Sequence, residues 1–162
     1  TRGNADDRLV EAIDLLPTFL DVLGGDAQPH RLEGRSLTPL LRGEGRVEWR
    51  DAAIAEADYA WRAARFTLDR GPAECRAFMV RTDRWKYIHY EGFRPQLFDL
   101  DEDPNELNDL GECPDHAAKR AELHERLFEW LRQRRLRTTM TDDKVASLTD
   151  TSRKRGFLIG VW

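Results

Sequence analysis

The chain has 162 residues, of which 40% are hydrophobic and 35% charged, and its formal net charge is −4. That length suffices for one ordinary domain, and the acidic balance gives no reason to expect nucleic acid as the main partner. No apolar run approaches the ~20 residues of a membrane-spanning helix, and no signal peptide is visible. Cys75 and Cys113 match neither a disulfide framework nor a zinc pattern, which favours a reducing, cytoplasmic compartment. Thr1 opens a polar, loop-like stretch, which predicts a fragment of a longer chain.

Two short helices are expected near the start. Residues 9–13 are consistent with a short strand that leads into Asp14, which is placed to cap a helix over residues 15–23. Ser36 is placed in the same way before a helix over residues 37–42. Each helix has a proline in its first turn and a glycine after its end. The first helix has an apolar face and is too short to persist alone, so it needs a neighbour.

The middle of the chain has the strongest β character. Residues 52–57 form a possible strand of small residues, whereas residues 59–74 carry mixed signals and are predicted to be a loop. Residues 81–90 alternate as a hairpin around a turn at residues 82–84. A third strand is expected over residues 96–100, before an acidic turn that contains proline.

A long helix is predicted over residues 115–135, with Pro114 at its start. Its apolar stripe consists of Ala117, Ala121, Leu127, Phe128 and Leu131. These elements predict an α+β fold in which a small antiparallel sheet packs against a long C-terminal helix. The two short helices do not fit that unit and are typical of the edge of a larger α/β domain. We therefore expect three parts: residues 1–50 from that larger domain, residues 51–135 as the sheet and helix, and residues 136–162 as an extended tail.

The acidic turn suggests a calcium site. Counted from Asp101, the ligand positions of an EF-hand loop fall on Asp101, Asp103, Asn105 and Glu112. The position that requires glycine for the sharp turn is Glu106, and the preceding segment is strand-like rather than helical. A capped turn with solvated carboxylates is therefore the favoured interpretation.

Histidine offers a second candidate for chemistry. His89 lies on the predicted hairpin, on the same face as Trp85 and Tyr87. A lone histidine is more often a structural residue than a base, so the structural interpretation is favoured. The remaining histidines are scattered along the sequence: His30, His116 and His124. There is no Gly-rich phosphate loop after a strand and no Gly-x-Ser-x-Gly motif.

The C-terminal region contains two basic groups and an apolar end. Residues 132–137 and residues 153–155 could bind phosphate or nucleic acid, but a solvated helix end is the stronger interpretation in an acidic chain. The apolar residues 157–162 would be a liability if exposed, so they must be covered. The chain itself, a missing domain or another subunit could cover them, and these alternatives stay open.

Motifs in a fixed order resemble the sulfatase family. Residues 10–24 (VEAIDLLPTFLDVLG) and 32–43 (LEGRSLTPLLRG) are similar to a DxxPTxLxxxG helix and a following GRSLxPLLxG segment of that family. Residues 81–88 and 97–110 resemble its R-T-x-x-x-K-Y-I strand and its L-[YF]-D-L-x-x-D-P-x-E-x-x-N-L turn, with Asp109 as the departure from the family pattern directly before the last leucine. The C-terminal extension is most similar to the phosphonate monoester hydrolase and arylsulfatase branch.

The resemblance implies a metal-dependent hydrolase of the alkaline phosphatase superfamily that cleaves sulfate or phosphonate monoesters and often phosphate diesters. Its nucleophile would be a formylglycine made within C/S-x-P/A-x-R, assisted by a divalent Mn, Ca or Mg ion. Cys75 begins CRAFM and Cys113 begins CPDHA, so neither completes that motif. The family's metal ligands would precede Thr1. The resemblance therefore assigns no catalytic, metal-binding or cofactor-binding residue to this chain, which we expect to be inactive alone.

By the same resemblance, residues 1–50 end the catalytic domain and the rest forms a C-terminal subdomain that helps to close the substrate cleft. Its expected partners are that N-terminal catalytic domain and a second copy, contacted through the tail, with no nucleic acid or membrane. Tyr59, Arg62 and Arg65 are possible residues of the active-site rim. The alternative is an independent protein-interaction module without a catalytic role, which binds a partner through its tail and its arginine-rich helix end.

Overall fold

A four-stranded antiparallel sheet forms the centre of the fold. The computed structural model describes residues 3, 5–45, 47–134 and 139–149. The strands are β1 (Ala53–Asp58), β2 (Arg76–Arg81), β3 (Trp85–Tyr90) and β4 (Gln96–Asp99). Their spatial order is their order in the chain, so the sheet is a simple meander. The helices are α1 (Leu15–Val22), α2 (Thr38–Leu41), α3 (Ala63–Thr67), α4 (Ala117–Gln133) and α5 (Asp142–Thr149).

The core lies between one face of the sheet and α4. Alternate residues of the inner strands point toward this helix, as a strand period of two requires. The buried cluster consists of Phe78, Val80, Tyr87, Leu97, Leu123 and Leu127. The predicted α+β fold, with a small antiparallel sheet against a long C-terminal helix, is therefore confirmed.

The predicted apolar stripe of α4 needs a correction. Ala117 and Ala121 are exposed, whereas Leu123 and Leu127 are buried. Leu123 and Leu127 are one helical turn apart and therefore lie on one face of α4, toward the sheet. The larger side chains decide which face is buried, because they remove more apolar surface from water than alanine does.

The chain divides into two compact units. One comprises Thr1–Ala12 with Pro39–Arg134 and contains the sheet, α3 and α4; the other comprises Ile13–Thr38 with Arg135–Trp162 and contains α1 and α5. The predicted boundaries at residues 50 and 135 remain a prediction, because the structure does not show whether residues 1–50 end a larger domain.

The strand predicted over residues 9–13 is wrong. A 3-10 turn occupies Ala12–Asp14 instead. The carbonyl oxygen of Leu9 accepts a hydrogen bond from the indole of Trp49 at 2.7 Å, so a side chain rather than a strand ladder satisfies this backbone group.

Two short helices were missed in regions predicted to lack regular structure. Residues 59–74 contain α3 and a 3-10 turn at Pro72–Glu74, and Asp69 has a positive φ of 49° directly beyond α3. Farther along, the hydroxyl of Thr141 accepts the N–H of Lys144 at 3.1 Å and so caps the start of α5. Capping chemistry, rather than apolar periodicity, is the signal for α5.

Asp14 does not cap α1 as predicted. Its carboxylate instead accepts the backbone N–H of Arg35 at 2.8 Å. Thr18 makes a second link, because its hydroxyl donates to the carbonyl of Asp14 at 2.6 Å and accepts the N–H of Leu37 at 2.8 Å. Asp14 and Thr18 are both buried. The aspartate and threonine of the DxxPT motif therefore hold the GRSL segment against the start of α1.

Replacing Thr18 with valine should destabilise this link. The variant keeps the shape of the side chain but leaves the Leu37 N–H without its acceptor, which costs about 1–3 kcal/mol. Hydrogen exchange at the Leu37 amide should accelerate accordingly. Thr67→Val is the matched control, because its exposed hydroxyl bonds only within α3. Unchanged protection at Leu37 would contradict the prediction.

Candidate functional site

The face of the sheet opposite α4 carries a groove of about 570 Å³. Its floor consists of Ala55, Ala57, Ala77, Met79 and Ile88. These residues share one face because Ala55 pairs with Met79 and Met79 pairs with Ile88 across the strands. The groove is deep because the alanines of β1 and β2 have small side chains, and α3 forms one of its walls. A sheet with apolar residues on both faces has a second surface to cover.

Polar side chains surround this apolar floor. Lys86 binds the carboxylate of Glu106 at 2.6 Å, and Arg94 lies 3.5 Å from carboxylate oxygens of both Asp109 and Glu112. The acidic turn after β4 therefore supplies partners for two cations on the groove rim. These exposed or half-exposed pairs contribute little to stability, so their main effect is to fix the positions of the side chains.

Two of the three proposed rim residues line the groove. Tyr59 and Arg62 are part of its wall, whereas the guanidinium of Arg65 donates to the carbonyl oxygens of Arg70 and Ala60. Within the described part of the chain, the Arg62 side chain has no ion-pair partner. Arg62 is thus a cation at the groove wall that is available to an acidic ligand.

Two tyrosines lie together at one end of the groove. The rings of Tyr59 and Tyr90 meet edge to face at 6.4 Å, and the Tyr90 hydroxyl donates to the side-chain carbonyl of Gln96 at 2.7 Å. Burial raises the pKa of both phenols above their ordinary value. The tyrosines therefore stay neutral and act as hydrogen-bonding and packing groups.

The acidic turn is held by contacts within the protein. Arg84 binds both carboxylate oxygens of Asp99, at 3.0 and 2.7 Å, and lowers the pKa of that carboxyl. Asp103 accepts the N–H of Asn108 at 2.7 Å. These contacts fit the capped-turn interpretation. Of the residues suggested as calcium ligands, Asp101 lies 3.7 Å from Arg84. In the described ranges, no group of three or more His, Cys, Asp or Glu side chains could hold a metal ion.

On the other face of the sheet, α4 brings histidines that are distant in sequence to β3. His89 and His124 meet edge to face with ring centres 5.3 Å apart, and His124 stacks on Phe128 at 4.3 Å. His124 Nδ1 lies 3.1 Å from the hydroxyl of Tyr87. Separately, His116 packs against Trp85 with ring centres 5.8 Å apart. The face shared by Trp85, Tyr87 and His89 is as the sequence predicts.

The cationic end of α4 has acidic partners. Arg132 pairs with Glu125 and Arg134 pairs with Glu56, each at 2.5 Å. These pairs fit the solvated helix end that was favoured over a phosphate site. Residues 135–137 of the predicted basic cluster, the basic residues 153–155 and the apolar residues 157–162 lie outside the described residues, so the hypotheses about them remain predictions.

Both cysteines are free thiols. The buried Cys75 donates a weak hydrogen bond from Sγ to the carbonyl oxygen of Gly71 at 3.2 Å, and Cys113 is half-buried. In the part of the chain that the structure describes, no helix has the length and apolar character needed to cross a membrane.

Most of the groove was not predicted from the sequence. Tyr59 and Arg62 were expected at a rim, whereas Lys86, Arg94 and the apolar floor were not. One signal was available: the strands place alanine, methionine and isoleucine on the face opposite the main core. A second apolar face of this kind indicates a surface that another protein segment covers.

The fold and the groove define the chain as an α+β subdomain whose sheet has one face covered by its own helix and one face left open. A model of the C-terminal region of N-sulphoglucosamine sulphohydrolase matches residues 1–133. The chain therefore belongs to this family of sulfatase C-terminal domains.

Solved structures and a curated protein that are similar to this chain support the same family assignment. The phosphonate monoester hydrolase of Agrobacterium radiobacter is 35% identical, with a TM-score of 0.69 over 79% of this chain and 26% of that chain. The enzyme SpPMH from Silicibacter pomeroyi is 26% identical, with a TM-score of 0.76 over 89% of this chain and 30% of that chain.

One curated relative is the multifunctional alkaline phosphatase superfamily protein PehA of Trinickia caryophylli. It is 28% identical over 131 residues, which are 79% of this chain and 25% of that protein. This chain thus spans between 25% and 30% of the length of these three relatives. The resemblance to sulfatases and phosphonate monoester hydrolases is confirmed.

Proposed function

We propose that this chain is the C-terminal subdomain of a metal-dependent hydrolase that cleaves sulfate esters or phosphonate monoesters. The match of residues 1–133 to a sulfatase C-terminal family carries the proposal. The relatives that are named phosphonate monoester hydrolases support the same reaction class. In this proposal the chain supplies structure around the catalytic part and does not perform the chemistry.

The exposed face of α1 supports a packing role. Four apolar side chains of this helix keep about half or more of their surface in solvent: Leu15 (49%), Leu16 (51%), Phe19 (59%) and Val22 (66%). Fully burying one such side chain contributes about 1.5–3 kcal/mol, so a neighbouring protein surface would gain stability by covering them. The catalytic part of the proposed parent enzyme is the partner that would cover this face.

The groove supports a second contact with the same partner. Its floor is apolar and Arg62 lies on its wall, so it suits an apolar side chain next to a carboxylate. A segment of the catalytic part with that chemistry would seat in the groove and fix one side of the substrate cleft. The apolar composition of residues 157–162 supports a further proposed contact, between subunits, through the tail.

The parent enzyme would use a divalent Mn, Ca or Mg ion and a formylglycine nucleophile. The described residues do not fit a site for that ion, because no suitable group of three or more ligating side chains occurs among them. The catalytic part would therefore have to hold the metal and the nucleophile. The free thiols of Cys75 and Cys113 support a reducing, cytoplasmic location.

An assay of the chain with and without the catalytic part tests the proposal. We expect no turnover of aryl sulfates or phosphonate monoesters by this chain alone, with Mn or Ca added. The longer polypeptide should turn over one of these substrate classes, and a variant with alanine at its nucleophile should not. Turnover by this chain alone, or the absence of a C/S-x-P/A-x-R motif in the gene before Thr1, would contradict the proposal.

An independent interaction module is the alternative. Its support is the exposure of large apolar side chains outside the groove, such as Trp61 (91%) and Phe66 (72%). This alternative requires the chain to be a stable monomer that binds a separate protein saturably. Light scattering of the purified chain, followed by titration with the separately expressed catalytic part, distinguishes the two functions.

A further inference from the structure

The contact between α4 and the sheet contains two imidazoles that face each other. His89 of β3 and His124 of α4 have ring centres 5.3 Å apart, and both are partly buried. Phe128 lies against both rings, at 5.1 Å from His89 and 4.3 Å from His124. An apolar ring on one side and a second imidazole on the other leave a charge here less well solvated than in open solvent.

Charged and polar groups around the pair come from both packed elements. On the sheet, Glu91 follows β3 and is held by Arg76 of β2 at 2.9 Å. On α4, Arg120 binds the carbonyl oxygen of Cys113. Of these groups, Glu91 alone favours a charged His89, and its carboxylate is shared with Arg76. No described carboxylate forms an ion pair with either imidazole, so positive charges on both rings would be offset only weakly.

We propose that His89 and His124 form a pH-sensitive contact that holds α4 on the sheet while both rings are neutral and loosens it on acidification. Two like charges at this distance repel, and the partly buried surroundings weaken the screening by solvent. Tyr87 is linked to the same event, since its hydroxyl lies 3.1 Å from Nδ1 of His124: in the tautomer with Nδ1 unprotonated that nitrogen accepts the Tyr87 O–H, and in the protonated ring it can only donate.

The direction of the effect follows from proton binding. Burial lowers the pKa of His89 below its ordinary value of 6.5, and the positive charge of His124 lowers it further. Below pH 6.5 the unfolded chain therefore binds more protons at this residue than the folded chain does. The stability from the neutral pair is fully present above that pH and is lost as the pH falls toward the lowered pKa. This inference concerns the helix and sheet alone and does not depend on the proposed function.

Hydrogen exchange of the α4 amides at about pH 7.5 and about pH 5.5 tests the inference in the full chain. After correction for intrinsic exchange rates, the opening constant should rise at least about 2-fold at the lower pH, because the folded contact binds fewer protons than the unfolded chain does. In the His89→Gln and His124→Gln variants, the increase in the opening constant should be less than half of the increase in the unsubstituted chain. His30→Gln, which replaces a histidine outside this contact, should keep the full rise.

A titration of the histidine ring protons by NMR gives a second readout that a purely structural role would not change. The midpoint of His89 should lie below 6.5 in the unsubstituted chain and move upward in His124→Gln, because one repelling charge is gone. A His89 midpoint at or above 6.5, or a full pH-dependent rise in α4 opening in His89→Gln, would overturn the proposal.

Discussion

Replacing Leu127 with alanine is expected to lower the free energy of unfolding by about 2–5 kcal/mol. Leu127 is completely buried and lies in the cluster that joins α4 to the sheet. Truncation removes its apolar contacts with the strands and leaves a cavity that a regular sheet cannot collapse to fill. Urea denaturation followed by far-ultraviolet circular dichroism measures the loss, as a lower midpoint with an unchanged slope.

Leu107→Ala is the matched control for this experiment. It makes the same chemical change on a side chain that is 85% exposed, so its effect should stay within about 0.5 kcal/mol. Equal effects of the two substitutions would mean that the face of α4 toward the sheet is not the core of the fold. A lower free energy of unfolding in Leu127→Ala, but not in Leu107→Ala, would show that the contact between α4 and the sheet stabilises the fold.

The strands were predictable because a single pattern controls them. Alternation over residues 81–90 identified β3, the turn before it and the face shared by Trp85, Tyr87 and His89, whereas β2 begins at Arg76, before the predicted range. The short helices α3 and α5 have too few residues for an apolar period to emerge, so local capping and turn contacts define them instead. The predicted apolar stripe of α4 was wrong at Ala117 and Ala121, because small side chains do not determine which face of a helix is buried.

The groove and the histidine pair were harder to predict for a different reason. Lys86 meets Glu106 across 20 residues of sequence, and His89 meets His124 only because α4 crosses the sheet. Such contacts follow from the docking of elements, which local spacing does not encode. The sequence could identify the residue types available, but not which of them would lie side by side.

Asp109 shows how a departure from a family pattern can acquire a structural role. It occupies the asparagine position of the resembled turn motif, and its Oδ1 accepts the N–H of Gly111 at 2.8 Å and the N–H of Leu97 at 3.2 Å. The turn that leads to α4 is therefore tied to β4. Leu110 adds a backbone bond to the carbonyl of Leu97 at 2.8 Å, so the chain passes very close to the strand here.

Gly111→Ala should therefore destabilise the fold by about 1–3 kcal/mol, the usual cost of added atoms in a well-packed site. A Cβ at this position would lie 2.1 Å from the carbonyl oxygen of Pro95 and 2.9 Å from the Cα of Gln96. Both are backbone atoms, so the turn itself has to move away from β4, and the start of α4 moves with it. Urea denaturation measures the loss.

Gly45→Ala is the control for that substitution, since an added Cβ there meets no atom within 4 Å. Hydrogen exchange at the Leu110 amide separates a local from a global effect: a displaced turn breaks its bond to Leu97 and exposes the amide before the sheet unfolds. An unchanged midpoint together with unchanged protection at Leu110 would contradict the close approach. A lowered midpoint with early exchange at Leu110 would show that the turn sets the position from which α4 packs on the sheet.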